Sequence, residues 1–409
     1  MAAPPFSDII VAGAGIAGAS FALSIKRAVG ALVTVTLCDP ALAKIDGLEA
    51  PRHSMRAVAV APDAQQSLET LGVWHEIAAS TQPIRSMTIT DSRPGALPNP
   101  IFLRFDGQER AEGYLAHMAF TGDLRGALLR ACQAAGVLFV PVRLTGFKAE
   151  SFGVRVEASE GASFRGRLLV AADGGRSRLR SAGGVQVFGG PYPQSGIVAT
   201  LHHARSHEGR AVQHFLPAGP LALLPLRAQD GSPHRSSIVW TETSQEAARL
   251  VGLPAEGFLA ALQDRIGFEY GQLTLEDQPA AVPLRFALAR RLVGPRLALL
   301  GDAARVVHPL AGQGLNLGLR DAMALSSQVA EVVELGLDPG ADAVLKAYQR
   351  DRQFDATAMV ATTDLMNRLF SNDHLPVRLL RDIGLGLVDR TPRIKRMLIG
   401  GATGLPRAS

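Results

Sequence analysis

The chain reads as an α/β protein: a Rossmann-like dinucleotide-binding domain carrying an inserted, mostly antiparallel β-sheet and ending in a helical region. Three observations predict this. Residues 8–39 have a strand–glycine turn–helix–strand pattern. Short β-branched runs between about residues 76 and 280 have strand rather than helix periodicity. From Ala341 onward the apolar residues instead recur at helical intervals.

The first element is "DIIVA", a short β-branched run ending at Ala12. It is followed by Gly13-Ala14-Gly15-Ile16-Ala17-Gly18, a GxGxxG, then by a helix running to Gly30 and a second strand, "LVTVTLCDP", with Asp39 at its end. Each glycine has a reason. Gly13 permits the tight turn, Gly15 lets backbone approach a pyrophosphate, and Gly18 lets the helix lie close to the strands. The helix N-terminus offers free N–H groups and a partial positive charge to the phosphates. Asp39, 21 residues after Gly18, stands where an acid can hold a ribose hydroxyl. The stretch from Ile9 to Ile25 is uncharged, but its glycine spacing, its length and the uncharged flank "MAAPPF" argue against a membrane anchor or export signal.

Two later segments indicate which dinucleotide. "GRLLVAADGGRSRLR" is a buried strand followed by Asp173-Gly174; alone, it would be an ordinary strand-to-helix turn. "RLALLGDAARVVHPLAGQGLNLGLRDAMAL" is a strand ending in Gly301-Asp302, a glycine-rich loop, and a helix starting near Gly314-Leu315-Asn316. A carboxylate at a strand end suits the hydroxyls of a polyol chain, and the next helix N-terminus directs its dipole beyond that polyol. A ring that gains negative charge on reduction fits there, which favours extended FAD over a nicotinamide nucleotide.

Composition bounds the rest. A chain of 409 residues with 47% hydrophobic residues can bury a large core and form two domains. The net charge of +5 is carried mostly by arginines spread along the chain, so no nucleic-acid partner is expected. Cys38 and Cys132 match no metal spacing and form no disulfide framework, and no metal is expected. A cytoplasmic protein follows, with possible peripheral contact at the inner face of a membrane.

Taken together, GxGxxG, "ADGGRS" and "GDAARVVHPLAGQGLNLG" resemble the flavin-dependent aromatic hydroxylases typified by p-hydroxybenzoate hydroxylase. "MRAVAVAPDAQQSLETLGVW" and "HEGRAVQHFLPAGPLALLPL" narrow the likeness to the ubiquinone-biosynthesis hydroxylases, the second segment resembling the 2-octaprenyl-6-methoxyphenol hydroxylases. The resemblance implies pyrophosphate binding by Gly13, Gly15 and Gly18, ribose binding by Asp39, and an approach of Arg56 to FAD. It links Asp173 and Gly174 with FAD and reduced nicotinamide. Gly301 and Asp302 would hold the ribityl chain or pyrophosphate, and Gly312, Gly314 and Asn316 would line the flavin. NADPH or NADH is the implied electron donor, O2 the co-substrate and a polyprenylated phenol the substrate, within an enzyme assembly of ubiquinone biosynthesis. His308 is a candidate base for the phenol proton, although the His-Pro pair also shapes the flavin loop. Two departures stand out: Arg305 replaces the usual His after "GDAA", and "GYLAHM" places His117 and Met118 where relatives often carry Glu-Asn.

The expected division is residues 1–75, 105–182 and 281–340 for the FAD domain, 76–104 and 183–280 for the substrate domain, and 341–409 for the helical region. Basic residues between 376 and 409 could form a lipid-facing surface or the solvated face of a packed helix. Two rival functions remain at this level: a flavin-dependent isoprenoid reductase, which would need no O2, and a non-enzymatic prenyl carrier, which would need no flavin.

Overall fold

The computed structural model describes residues 6–44, 56–91, 101–109, 112–228, 230–307 and 313–352. His308, Gly312, and the expected helical stripe and basic segment beyond residue 352 lie outside the described residues.

The first sheet has eight strands. Its centre is parallel: Leu297–Leu299, Ser163–Ala171, Phe6–Ala12, Val35–Cys38 and Leu138–Val140 lie side by side in that order. These strands read as nearly continuous apolar runs because helices cover the sheet. The helix Ile16–Val29 packs against Thr121–Ala134 and Gln313–Glu334. Gly30, at φ 56°, stops the first helix in a left-handed turn that a side chain would strain. The 342–352 helix buries Val344, Leu345 and Tyr348 in the same core, as the C-terminal periodicity predicts. Cys38 and Cys132 are free and buried there, and burial raises both thiols to about 12.

The second sheet has nine strands and is antiparallel except where Ser86–Asp91 runs parallel to Arg210–Leu216. The path takes in Ala280–Ala289 and Arg305–Val306, so the sheet continues beyond the expected boundary at residue 280. Its two faces differ. One buries Ile197, Leu221, Leu223, Ile238 and Trp240 beneath the helices Ser244–Val251 and Ala255–Ile266. The other packs Ala211, Leu226 and Met87 against a three-stranded sheet of Ala57–Val60, Gln82–Ile84 and Ala116–Phe120. Asn316 in turn ties the Ala57–Val60 strand of that small sheet to the late helix, Gln313–Glu334.

Candidate functional site

Three segments far apart in sequence meet at the C-terminal edge of the parallel strands. Ala172 N–H donates to the Ala12 carbonyl at 2.8 Å, and Leu300 N–H donates to the Ala171 carbonyl at 2.9 Å. These bonds align the ends of the first, middle and late strands. Arg180, nearly buried, donates from Nη1 to the Ala303 carbonyl at 2.9 Å and so clips the middle motif to the late one. Burial pulls its pKa below the usual arginine value, while Asp173 opposes the shift.

The glycines differ in what constrains them. Gly13 has φ 103°, and a Cβ there would lie 2.2 Å from the Ala172 carbonyl oxygen. A Cβ on Gly18 would lie 2.1 Å from the Gly13 carbonyl oxygen, so the helix rests directly on the turn. Gly15 is different: no protein atom stands within 4 Å of its Cβ position, and a ligand could approach the backbone there. No side chain caps the helix that begins after Gly15, which leaves its first N–H groups for an anion.

Asp39 receives Ala14 N–H on Oδ2 at 2.9 Å and Ala41 N–H on Oδ1 at 2.8 Å. A carboxylate has about four lone-pair sites, so acceptor capacity remains for ribose hydroxyls. Asp173 receives Arg178 N–H on Oδ2 at 2.9 Å, whereas its buried Oδ1 has no hydrogen-bond partner among the described residues. Gly174, at φ 85°, makes the adjoining turn.

In the late motif, Gly301 has φ 54° and packs close to Ala17 and Gly318. Asp302 lies beside Gly314, whose Cβ position is 3.8 Å from Asp302 Oδ1. It keeps an edge open to solvent, but the surrounding protein raises its pKa above the ordinary carboxylate value, and the nearby Arg56 charge pulls it back down. Arg56 and Asp302, 246 positions apart, are therefore electrostatic neighbours.

Asn316 has a role that sequence reasoning does not anticipate. Its side-chain oxygen accepts Ala61 N–H at 3.0 Å, and its amide donates to the Ala59 carbonyl at 3.0 Å. It thereby fastens the strand after Arg56 to the start of the late helix, and Arg320–Asp63 makes a second tie. Arg125 is an unanticipated residue of the site. Its Nε donates to the Ala14 carbonyl at 2.7 Å, and its two Nη groups have no partner among the described residues. A single arginine on an amphipathic helix leaves no motif by which it could be found.

The two departures from the family pattern sit in defined surroundings. Arg305 is buried and pairs with Asp321, which also receives Arg352 Nε at 3.0 Å. In this chain the position is therefore filled by one of two arginines around a buried carboxylate. His117 lies between the rings of Trp74 and Tyr114, at 5.3 and 4.5 Å, with Nδ1 3.0 Å from Thr81 Oγ1. Burial lowers its pKa and favours neutral imidazole. Among the described residues there is no cluster of three or more His, Cys, Asp or Glu able to hold a metal.

Fold and site together define an FAD-dependent oxidoreductase: close-packed glycines, an uncapped helix end, an unpaired buried carboxylate oxygen and a second acid at a strand end fit one extended dinucleotide. The chain matches the FAD binding domain family over residues 7–363. It is 38% identical to the ubiquinone hydroxylase UbiL of Rhodospirillum rubrum, covering 97% of this chain and 90% of that protein. It is 29% identical to the 3-demethoxyubiquinol 3-hydroxylase of Escherichia coli K12, covering 98% and 99%. Its fold is similar to that of p-nitrophenol 4-monooxygenase PnpA from Pseudomonas putida DLL-E4, with a TM-score of 0.78 over 99% of this chain and all of that one, at 18% identity. The chain belongs to the FAD-dependent ubiquinone-biosynthesis hydroxylases.

Proposed function

We propose that this chain hydroxylates the aromatic ring of a polyprenylated phenol in ubiquinone biosynthesis, using FAD and O2. The observation that carries the reading is the meeting of three cofactor motifs at one edge of the parallel sheet, in a chain 38% identical to a ubiquinone hydroxylase. In this reading Gly13, Gly15, Gly18 and the first helix end bind the pyrophosphate, and Asp39 holds the adenosine ribose. Asp173 and Gly174 border the middle of the cofactor. Arg56, Gly301 and Asp302 hold its polyol end, and Gly314 gives the flavin room at the start of the late helix. Asn316 acts by fixing the strand behind Arg56. When bound, FAD supplies the redox and oxygen-activating chemistry. The protein's contribution is to seat the ring close to it and exclude water.

His308 is the proposed base for the phenol proton, NADPH or NADH the proposed electron source, and other ubiquinone-biosynthesis enzymes the proposed partners. No helix among the described residues is long and apolar enough to cross a membrane. Peripheral contact is the proposed route of substrate access from lipid, and the basic segment 376–409 is the candidate surface. The deciding experiment joins two measurements. The purified protein should be yellow and consume O2 in step with hydroxylation of a polyprenylated phenol, and a gene deletion should accumulate a precursor lacking one ring hydroxyl. O2-independent saturation of an isoprenoid chain would refute the reading.

A further inference from the structure

We infer that Gln213 is the residue that orients the substrate ring, by hydrogen bonding its phenolic oxygen; the assignment rests on the hydroxylase reading above. Successive strand residues point to opposite faces of a sheet. Val212 and Leu216 belong to the core under the two helices, whereas Ala211 packs against the sheet of residues 57–60, 82–84 and 116–120. Gln213 therefore shares the face of Ala211. Asn316 ties the Ala57–Val60 strand to the helix whose Gly314 adjoins Asp302, so this face belongs to the cofactor side of the molecule.

Gln213 is 7% exposed, yet its carboxamide makes no hydrogen bond to any described residue. A ligand that covers this side chain must satisfy the amide or leave it unpaired, at a cost on the order of 1–3 kcal/mol. The atoms are also not sealed in, because neither is among the side-chain atoms closed off from solvent without a partner. Ala222, Val239 and Val198, which follow Gln213 across the sheet, are only partly buried, so this stretch of the face is not fully covered. The register shows what surrounds Gln213, with Ile89 on the other side in the parallel neighbour. Gln213 pairs with Ala222, Ala222 with Val239 and Val239 with Val198, so an amide stands beside a methyl group and two valines. That row offers one polar handle in an apolar wall, as binding of a greasy phenol requires. A carboxamide can donate to the ring oxygen or accept from its hydroxyl, and either bond fixes which ring carbon faces the flavin.

The test uses the FAD-loaded enzyme and two probes: a phenol with a short prenyl chain and the matching prenylbenzene without the ring oxygen. Binding is followed through the change each makes in flavin absorbance. Wild type should bind the phenol at least about fivefold more tightly than the prenylbenzene. Gln213→Leu should bring the ratio close to one while retaining FAD, and Gln213→Met serves where the leucine variant loses flavin. A merely structural role would weaken both probes together. An unchanged ratio in an FAD-loaded variant overturns the role of Gln213 alone. A wild type that binds neither probe overturns the hydroxylase reading and this assignment with it.

Discussion

The two glycines at the start of the dinucleotide turn should fail in different ways when each is replaced by alanine. In Gly13→Ala the new methyl would sit 2.2 Å from the Ala172 carbonyl oxygen, where ordinary contact begins at 3.4 Å. Relief requires a shift of about 1 Å between two strand ends. Such a shift is resisted by Ala172 N–H on the Ala12 carbonyl and Leu300 N–H on the Ala171 carbonyl. The φ of 103° adds strain of about 1–3 kcal/mol for any side chain. The total, on the order of 3 kcal/mol or more, falls on the fold itself. Gly15→Ala meets no protein atom within 4 Å. It should leave the FAD-free protein unchanged and obstruct only the approach of the pyrophosphate. The assay is denaturant unfolding of the FAD-free proteins beside a fluorescence titration with FAD. Gly13→Ala should unfold at clearly lower denaturant and bind FAD weakly. Gly15→Ala should unfold with wild type and lose at least about tenfold in affinity. Equal stability of the Gly13 variant and wild type would refute the packing argument, and normal FAD affinity in the Gly15 variant would refute the placement of the pyrophosphate.

Two further outcomes follow from single residues. Arg125→Ala removes the cation held over the turn by the Ala14 carbonyl; a charge-assisted contact to phosphate is worth about 1.5–3 kcal/mol, so FAD affinity should fall roughly 10- to 100-fold and lose part of its salt dependence, measured by titration at two ionic strengths. His214 is buried with Nδ1 2.6 Å from Thr90 Oγ1, and burial lowers its pKa from 6.5 to about 4. A depressed folded pKa means that the unfolded chain takes up the proton first as the pH falls. Stability is therefore full above pH 6.5 and is lost progressively between there and about pH 4, by about 3 kcal/mol for this residue. Denaturant unfolding of wild type and His214→Gln across that range should show the flatter profile in the variant.

What could be read in advance was chemistry that glycine and short-range order impose. The turn at residues 13–18 is legible because only glycine tolerates the φ at Gly13 and the contact at Gly18, and both constraints are set by neighbours the turn brings with it. The inserted sheet is legible because alternation along a strand is local. Partners chosen by the tertiary fold are not legible. Asn316 looks like a ligand of the flavin loop, yet its amide serves backbone 255 positions away. The partners of Arg305, Asp321 and through it Arg352, are set by the tertiary fold and appear only in the structure. The sheet runs past residue 280 because Ala280–Ala289 pairs with both Val187–His203 and Arg305–Val306, a choice that no feature of its own ten residues records.

The contrast between Gly13 and Gly15 extends to the whole site. The bonds that bring the three motifs together run from protein to protein: Ala172 to Ala12, Leu300 to Ala171, Arg180 to Ala303, Asn316 to Ala59 and Ala61. The groups without a protein partner among the described residues are of another kind: the first N–H groups of an uncapped helix, Asp173 Oδ1 and the Nη groups of Arg125. The first set holds the cradle whether or not a dinucleotide is bound, and the second is what a dinucleotide can satisfy. Binding then draws on groups already in place and does not have to order the chain, which keeps its entropic cost low. It follows that removing FAD should leave a folded protein able to take the cofactor back, with the loss in stability set by FAD affinity alone.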